Sequence, residues 1–121
     1  MARVRILVVD DSPTDLSLIS APLLASGFEV ITASDGEEAI LKAAAEHPNL
    51  ILLDVVLPRQ NGFQVCRTLK KSAESGHIPV ILLTGKSQPS DRFWGLKQGA
   101  DEYVTKPFQA DALVSSIQRL I

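Results

Sequence analysis

The chain has 121 residues, 45% hydrophobic and 21% charged, which suits the core of one domain and excludes a disordered or fibrous polymer. Lys and Arg number 12 against 14 Asp and Glu, a formal charge of -2, so no general footprint for nucleic acid exists and direct DNA binding is not expected. A single cysteine, Cys66, excludes an internal disulfide and a cysteine-rich metal site.

The first apolar run, residues 4–9, is unalternating and rich in Val, Ile and Leu, and it ends at Asp10 and Asp11. No signal-cleavage region follows and no apolar stretch reaches membrane-spanning length, so the expectation is a cytoplasmic domain without membrane insertion. Ser12-Pro-Thr-Asp15 then opens a helix, with a capping serine, a proline at the first helical position and an acid three residues after the cap. Leu16, Ile19 and Leu23 share one face of it, and Gly27 is its expected stop. A weaker apolar run covers 28–33. Ser34-Asp-Gly-Glu37 repeats the serine-to-acid spacing before a helix with Ile40, Ala43 and His47 on one face.

Residues 50–53 form the next apolar run and end at Asp54. Asn61-Gly-Phe-Gln64 opens a third helix, which turns Phe63, Cys66 and Leu69 inward and is expected to stop at Gly76. Residues 78–83 end at Thr84, a fourth helix covers about 90–98 before Gly99, and a weak run at 102–104 leads to Thr105 and Lys106. Leu113 or Val114, Ile117 and Leu120 mark a last helix. Short apolar strands alternating with helices predict an α/β domain, a doubly wound parallel sheet of five strands with five helices on its two faces. One domain over residues 1–121 is expected, without an output domain.

In an open α/β sheet, ligands bind beyond the carboxyl ends of the strands. Asp10, Asp11, Asp54, Thr84 and Lys106 each end an apolar run, so three carboxylates, a hydroxyl and an ammonium should meet on one rim. Clustered carboxylates repel one another unless a cation is present, and oxygen donors without a His or Cys cluster favour a hard ion such as Mg²⁺, with Mn²⁺ as a substitute. Neither His47 nor His77 has neighbours that argue for a transition metal. A carboxylate beside such an ion can attack phosphorus, while lysine and threonine stabilise the transferred oxygens. Asp54, at the end of a central strand, is the nucleophile candidate; Asp10 and Asp11 are the metal-holding pair.

The segments ILVVDDS at 6–12, LILLDVVLPRQNGF at 50–63, PVILLTG at 79–85 and GADEYVTKPF at 99–108 carry a resemblance. With them the chain resembles the CheY-like receiver domain of bacterial two-component response regulators over nearly its whole length. The resemblance implies the flavodoxin-like strand order 2-1-3-4-5. It implies phosphorylation of Asp54 by a histidine kinase or phosphotransfer protein, and Mg²⁺ held by Asp10, Asp11, Asp54 and the backbone carbonyl of Val56. It further implies a cis Lys106-Pro107 bond. Thr84 would move toward the phosphoryl group and Tyr103 would turn inward, changing a face built from the fourth helix, fifth strand and fifth helix. That face, residues 90–98, Tyr103 and 108–121, would serve an unidentified downstream protein or a second copy of the chain. Such a domain catalyses its own phosphorylation and dephosphorylation without being a conventional enzyme.

Val56 stands where many receivers carry a polar residue that steers a hydrolytic water, and Lys86 lies within reach of the site, so both are expected to set phosphoryl lifetime. Residues 75–80 and 91–100 resemble the single-domain receivers of type IV pilus twitching motility and cyanobacterial phototaxis. Within them Trp94 is a candidate partner contact, since an indole needs a pocket or a partner. An unphosphorylated docking module is the alternative. A small aspartate-nucleophile phosphatase fits less well, because Asp10-Asp11-Ser12 lacks the Asp-x-Asp pattern, and no GxxxxGK[ST] loop is present for a nucleotide hydrolase.

Overall fold

The apolar runs become strands because each is buried on both sides. The computed structural model describes residues 3–121. In it β1 (Arg5–Val9), β3 (Leu50–Leu53) and β4 (Val80–Thr84) are buried almost throughout, and the two weaker runs become β2 (Glu29–Ala33) and β5 (Glu102–Thr105). All neighbours pair in parallel, in the order β2-β1-β3-β4-β5. The weak runs therefore lie at the two edges, where only part of each strand is covered. The helices are α1 (Pro13–Ala25), α2 (Gly36–Glu46), α3 (Gly62–Lys71), α4 (Pro89–Lys97) and α5 (Ala110–Leu120).

Because strand side chains alternate, each strand feeds two cores. Ile6, Val8, Leu50, Leu52, Ile81 and Leu83 pack with Ile19 and Leu23 of α1 and Leu113 and Ile117 of α5. Leu7, Val9, Ile51, Leu53 and Leu82 pack with Ala39 and Ala43 of α2 and with Phe63, Cys66 and Leu69 of α3. α4 approaches this second face at Gly95, where a Cβ would stand 2.7 Å from Leu82 and 2.9 Å from Tyr103. The whole rim at the strand ends is thereby fixed to a sheet covered on both sides.

The caps follow their chemistry, with two shifts. Ser12 Oγ accepts from Asp15 N at 3.2 Å, and Asn61 Oδ1 accepts from Phe63 N at 2.8 Å. At α2 the cap is Asp35, not Ser34: Asp35 Oδ1 accepts from Glu38 N, and Glu38, not Glu37, takes the Ser34 N–H at 2.7 Å. Two adjacent capping residues and two adjacent acids let the box slide by one. α3 ends at Lys71 rather than near Gly76, whose missing side chain leaves room for the Lys70 and Ser72 carbonyls. Gly27 and Gly99 do adopt positive φ, 90° and 102°, after α1 and α4. Among the described residues no helix is long and apolar enough to cross a membrane.

Candidate functional site

Asp10 follows β1, Asp54 follows β3 and Lys106 follows β5, and the parallel sheet brings the three together. Lys106 Nζ donates to Asp10 Oδ2 at 2.6 Å and to Asp54 Oδ2 at 3.0 Å. It donates also to Asp15 Oδ2 at 2.8 Å, a contact that the sequence reading missed. Asp15 had a sufficient local explanation as the acid of a helix cap, and nothing in the spacing connects it with a lysine 91 residues away. The only available signal was that Asp15 lies in the first turn of α1, on the same β1–α1 corner as the acidic pair.

The loops hold the other carboxylate oxygens. Asp10 Oδ1 accepts from Ser12 N and Asp54 Oδ1 accepts from Val56 N, each at 3.0 Å. Gly62 is required beside Asp54, since its N–H donates to the Val55 carbonyl at 2.7 Å and any Cβ would strike the Asp54 and Val55 backbone. Asp10 and Asp54 are 1% and 7% exposed, so their charges sit in a weakly solvated pocket. Burial pushes Asp10 above the ordinary carboxylate range, and the Lys106 hydrogen bond offsets only part of that. Burial alone would lower Lys106, but its bonds to Asp10, Asp15 and Asp54 outweigh it and hold the ammonium charged well above the usual lysine range.

The remaining candidates are distributed around this centre. Asp11 is exposed in the turn between β1 and α1. Val56 is 58% exposed, with its N–H on Asp54. Thr84 is fully buried, and its Oγ1 accepts from Lys86 N at 3.4 Å; the Lys86 side chain itself faces solvent. Tyr103 lies inward at 3% exposure, its hydroxyl donating to the Lys86 carbonyl at 2.7 Å, and burial pushes the phenol up to about 12. Lys106-Pro107 is cis. Trp94 is exposed and apart from all of these. It borders a hollow with Arg67, Lys71 and Lys97 between α3 and α4, on the side of α4 away from α5.

Asp10, Asp11, Asp15 and Asp54 outnumber the one ammonium, and each bonded carboxylate oxygen of Asp10 and Asp54 keeps a free lone pair. This donor set suits a hard divalent cation. Among the described residues no three His, Cys, Asp or Glu side chains are grouped to hold an ion as they stand, so Asp11 would have to turn inward to complete the set.

The family model described as "Response regulator receiver domain" matches residues 6–118. Protein PilH of Pseudomonas aeruginosa is 43% identical over 117 residues, covering 97% of both chains. The alkaline phosphatase synthesis transcriptional regulatory protein PhoP of Bacillus subtilis is 46% identical over 118 residues, and the chain spans 48% of its length. Among solved structures, the receiver domain of sensor histidine kinase PA1611 from Pseudomonas aeruginosa superposes with a TM-score of 0.91, at 31% identity and 98% coverage of each chain. That structure has a magnesium ion coordinated in its active-site cleft.

Proposed function

The chain belongs to the family of response regulator receiver domains, signalling modules controlled by phosphorylation, and from that premise we propose that Asp54 is the residue that accepts the phosphoryl group. The observation that carries this reading is a buried strand-end carboxylate sharing one ammonium with Asp10. Asp10, Asp11, Asp54 and the Val56 carbonyl would hold Mg²⁺, which supplies positive charge to the phosphoryl oxygens when bound. The Asp54 carboxylate attacks phosphorus in line with the leaving group of the donor. Lys106 stays protonated throughout and neutralises an equatorial oxygen, as its raised proton affinity favours. Thr84 donates its hydroxyl to the transferred group after breaking its contact with Lys86 N.

The donor is a histidine kinase or phosphotransfer protein, and the signal leaves by protein contact in the cytoplasm. Tyr103 and Lys86 connect the site with the face of α4, β5 and α5, which shifts between two populations as Thr84 moves. That face takes the downstream protein or a second copy of the chain. Residues 75–80 and 91–100, together with the identity to PilH, support pilus-based motility as the pathway. Trp94 serves as a contact for a partner that reaches the α3 side of α4, where Arg67, Lys71 and Lys97 favour an acidic surface.

Intact-mass measurement after incubation with acetyl phosphate and Mg²⁺ tests the reading. One added phosphoryl group, abolished by chelation and by Asp54→Ala, is the expected result. No adduct, under conditions that modify an active receiver, would leave a docking module instead.

A further inference from the structure

An ammonium has three N–H bonds to give, and Lys106 gives all three to carboxylates. Asp54 is the proposed acceptor and Asp10 belongs to the proposed metal set, but Asp15 has no part in either. It is nonetheless built into the site. Its backbone N–H is held by Ser12 Oγ at 3.2 Å, and Ser12 N is held in turn by Asp10 Oδ1 at 3.0 Å. The corner between β1 and α1 therefore sets Asp15 at a fixed place relative to Asp10. The Asp15 side chain is 37% exposed, whereas Lys106 is 18% exposed.

A lysine head rotates about its last bond, and one acceptor leaves its other two N–H directions undefined. Two acceptors at fixed positions leave a single direction for the third N–H. We propose that Asp15 is a positioning residue for phosphoryl transfer: with Asp10 it aims the remaining Lys106 N–H at Asp54 Oδ2, beside which the transferring group collects charge. If Asp10 turns toward a cation, Asp15 still holds the Lys106 head beside Asp54. The inference rests on the reading of Asp54 as acceptor. In that reaction an Asp54 oxygen bonds to phosphorus as the P–O bond to acetate breaks, with the electron pair leaving on acetate; Asp15 transfers no proton.

A purely structural Asp15 would act only through the first turn of α1, where an acid favours the helix N-terminus. The two roles separate in kinetics. Phosphorylation of the full chain by acetyl phosphate, followed by intact mass across donor concentrations, gives a maximal rate and a half-saturating concentration for Asp15→Ala, Asp15→Asn and Asp15→Glu. Asp15→Ala should lower the maximal rate about tenfold at unchanged half-saturation, as loss of a partly exposed charged hydrogen bond predicts. Asp15→Glu should recover most of the rate, and Asp15→Asn, which keeps the shape and an acceptor oxygen, should fall between them. Urea midpoints measured alongside establish that each variant is folded under assay conditions. Wild-type maximal rates in folded Asp15→Ala and Asp15→Asn would overturn the positioning role, as would a slow Asp15→Glu matched to Asp15→Ala. If wild type itself takes no phosphoryl group, the reading of Asp54 fails and the role of Asp15 falls with it.

Discussion

Replacing Lys106 by methionine keeps the unbranched apolar stem and removes the charged head, which leaves Asp10, Asp15 and Asp54 without their shared partner. Breaking a fully buried ion pair costs about 3–5 kcal/mol. Asp15 is partly exposed and loses little, and Asp10 can escape by taking up a proton, so a loss of about 2–3 kcal/mol is expected near neutral pH. The pH dependence has a definite sign. Asp10 binds its proton more tightly folded than unfolded, so its contribution to stability falls as pH rises from the ordinary carboxylate value through the raised one. Losing the Lys106 hydrogen bond and charge removes two influences that lower Asp10, so the variant loses more stability than wild type as pH rises and the Lys106→Met defect should be smaller at pH 5 than at pH 8. Mg²⁺ should stabilise the variant more than wild type, because in wild type the ammonium already occupies Asp10 Oδ2 and Asp54 Oδ2. A tenfold gain in ion affinity would add about 1.4 kcal/mol at saturating ion. Urea unfolding followed by circular dichroism, with chelator and with Mg²⁺, measures both effects. Equal stabilisation by Mg²⁺ in the two proteins would refute the competition on which the reasoning depends.

Cys66 is completely buried and its thiol is pushed up to about 11, so it should resist thiol reagents at pH 8 until the protein is unfolded. The folded thiol keeps its proton after the unfolded one has lost it, so stability should fall as pH rises above about 9, by roughly 2–3 kcal/mol at pH 11, and Cys66→Ala should lack that part of the slope. Gly62→Ala forces a Cβ onto the Asp54 and Val55 backbone; a stability loss of about 3 kcal/mol with severely slowed phosphorylation is expected, and a wild-type urea midpoint would contradict it. Val56→Asn places a polar group beside the Asp54 carboxylate on an exposed position, and the half-life of the phosphorylated protein should shorten severalfold with stability unchanged.

The sheet was legible because strands buried on both faces need apolar side chains throughout, and short runs bounded by turn residues, such as Leu50–Leu53, fit that placement. Strand ends in turn point Asp10, Asp54, Thr84 and Lys106 to one rim. Other features depend on packing that a linear pattern does not encode. Asp35 displaced Ser34 as the α2 cap because neighbouring residues offer equivalent chemistry and tertiary contacts choose between them. Asp15 satisfied a local rule, which concealed its long-range contact with Lys106. The side of α4 that carries Trp94 follows from the close approach at Gly95, which fixes the helix rotation against Leu82 and Tyr103. The family resemblance puts residues 90–98 in a face shared with α5, and within that stretch Trp94 itself borders a hollow with Arg67 and Lys71 of α3.

Chemical mapping reaches the Asp54 carboxylate directly. Borohydride reduces an aspartyl phosphate to homoserine, so the protein should be phosphorylated with acetyl phosphate and Mg²⁺, reduced, digested and sequenced by mass spectrometry. Homoserine is expected at position 54, with unmodified aspartate at positions 10, 11 and 15. Homoserine at any of those three positions, with Asp54 intact, would contradict it.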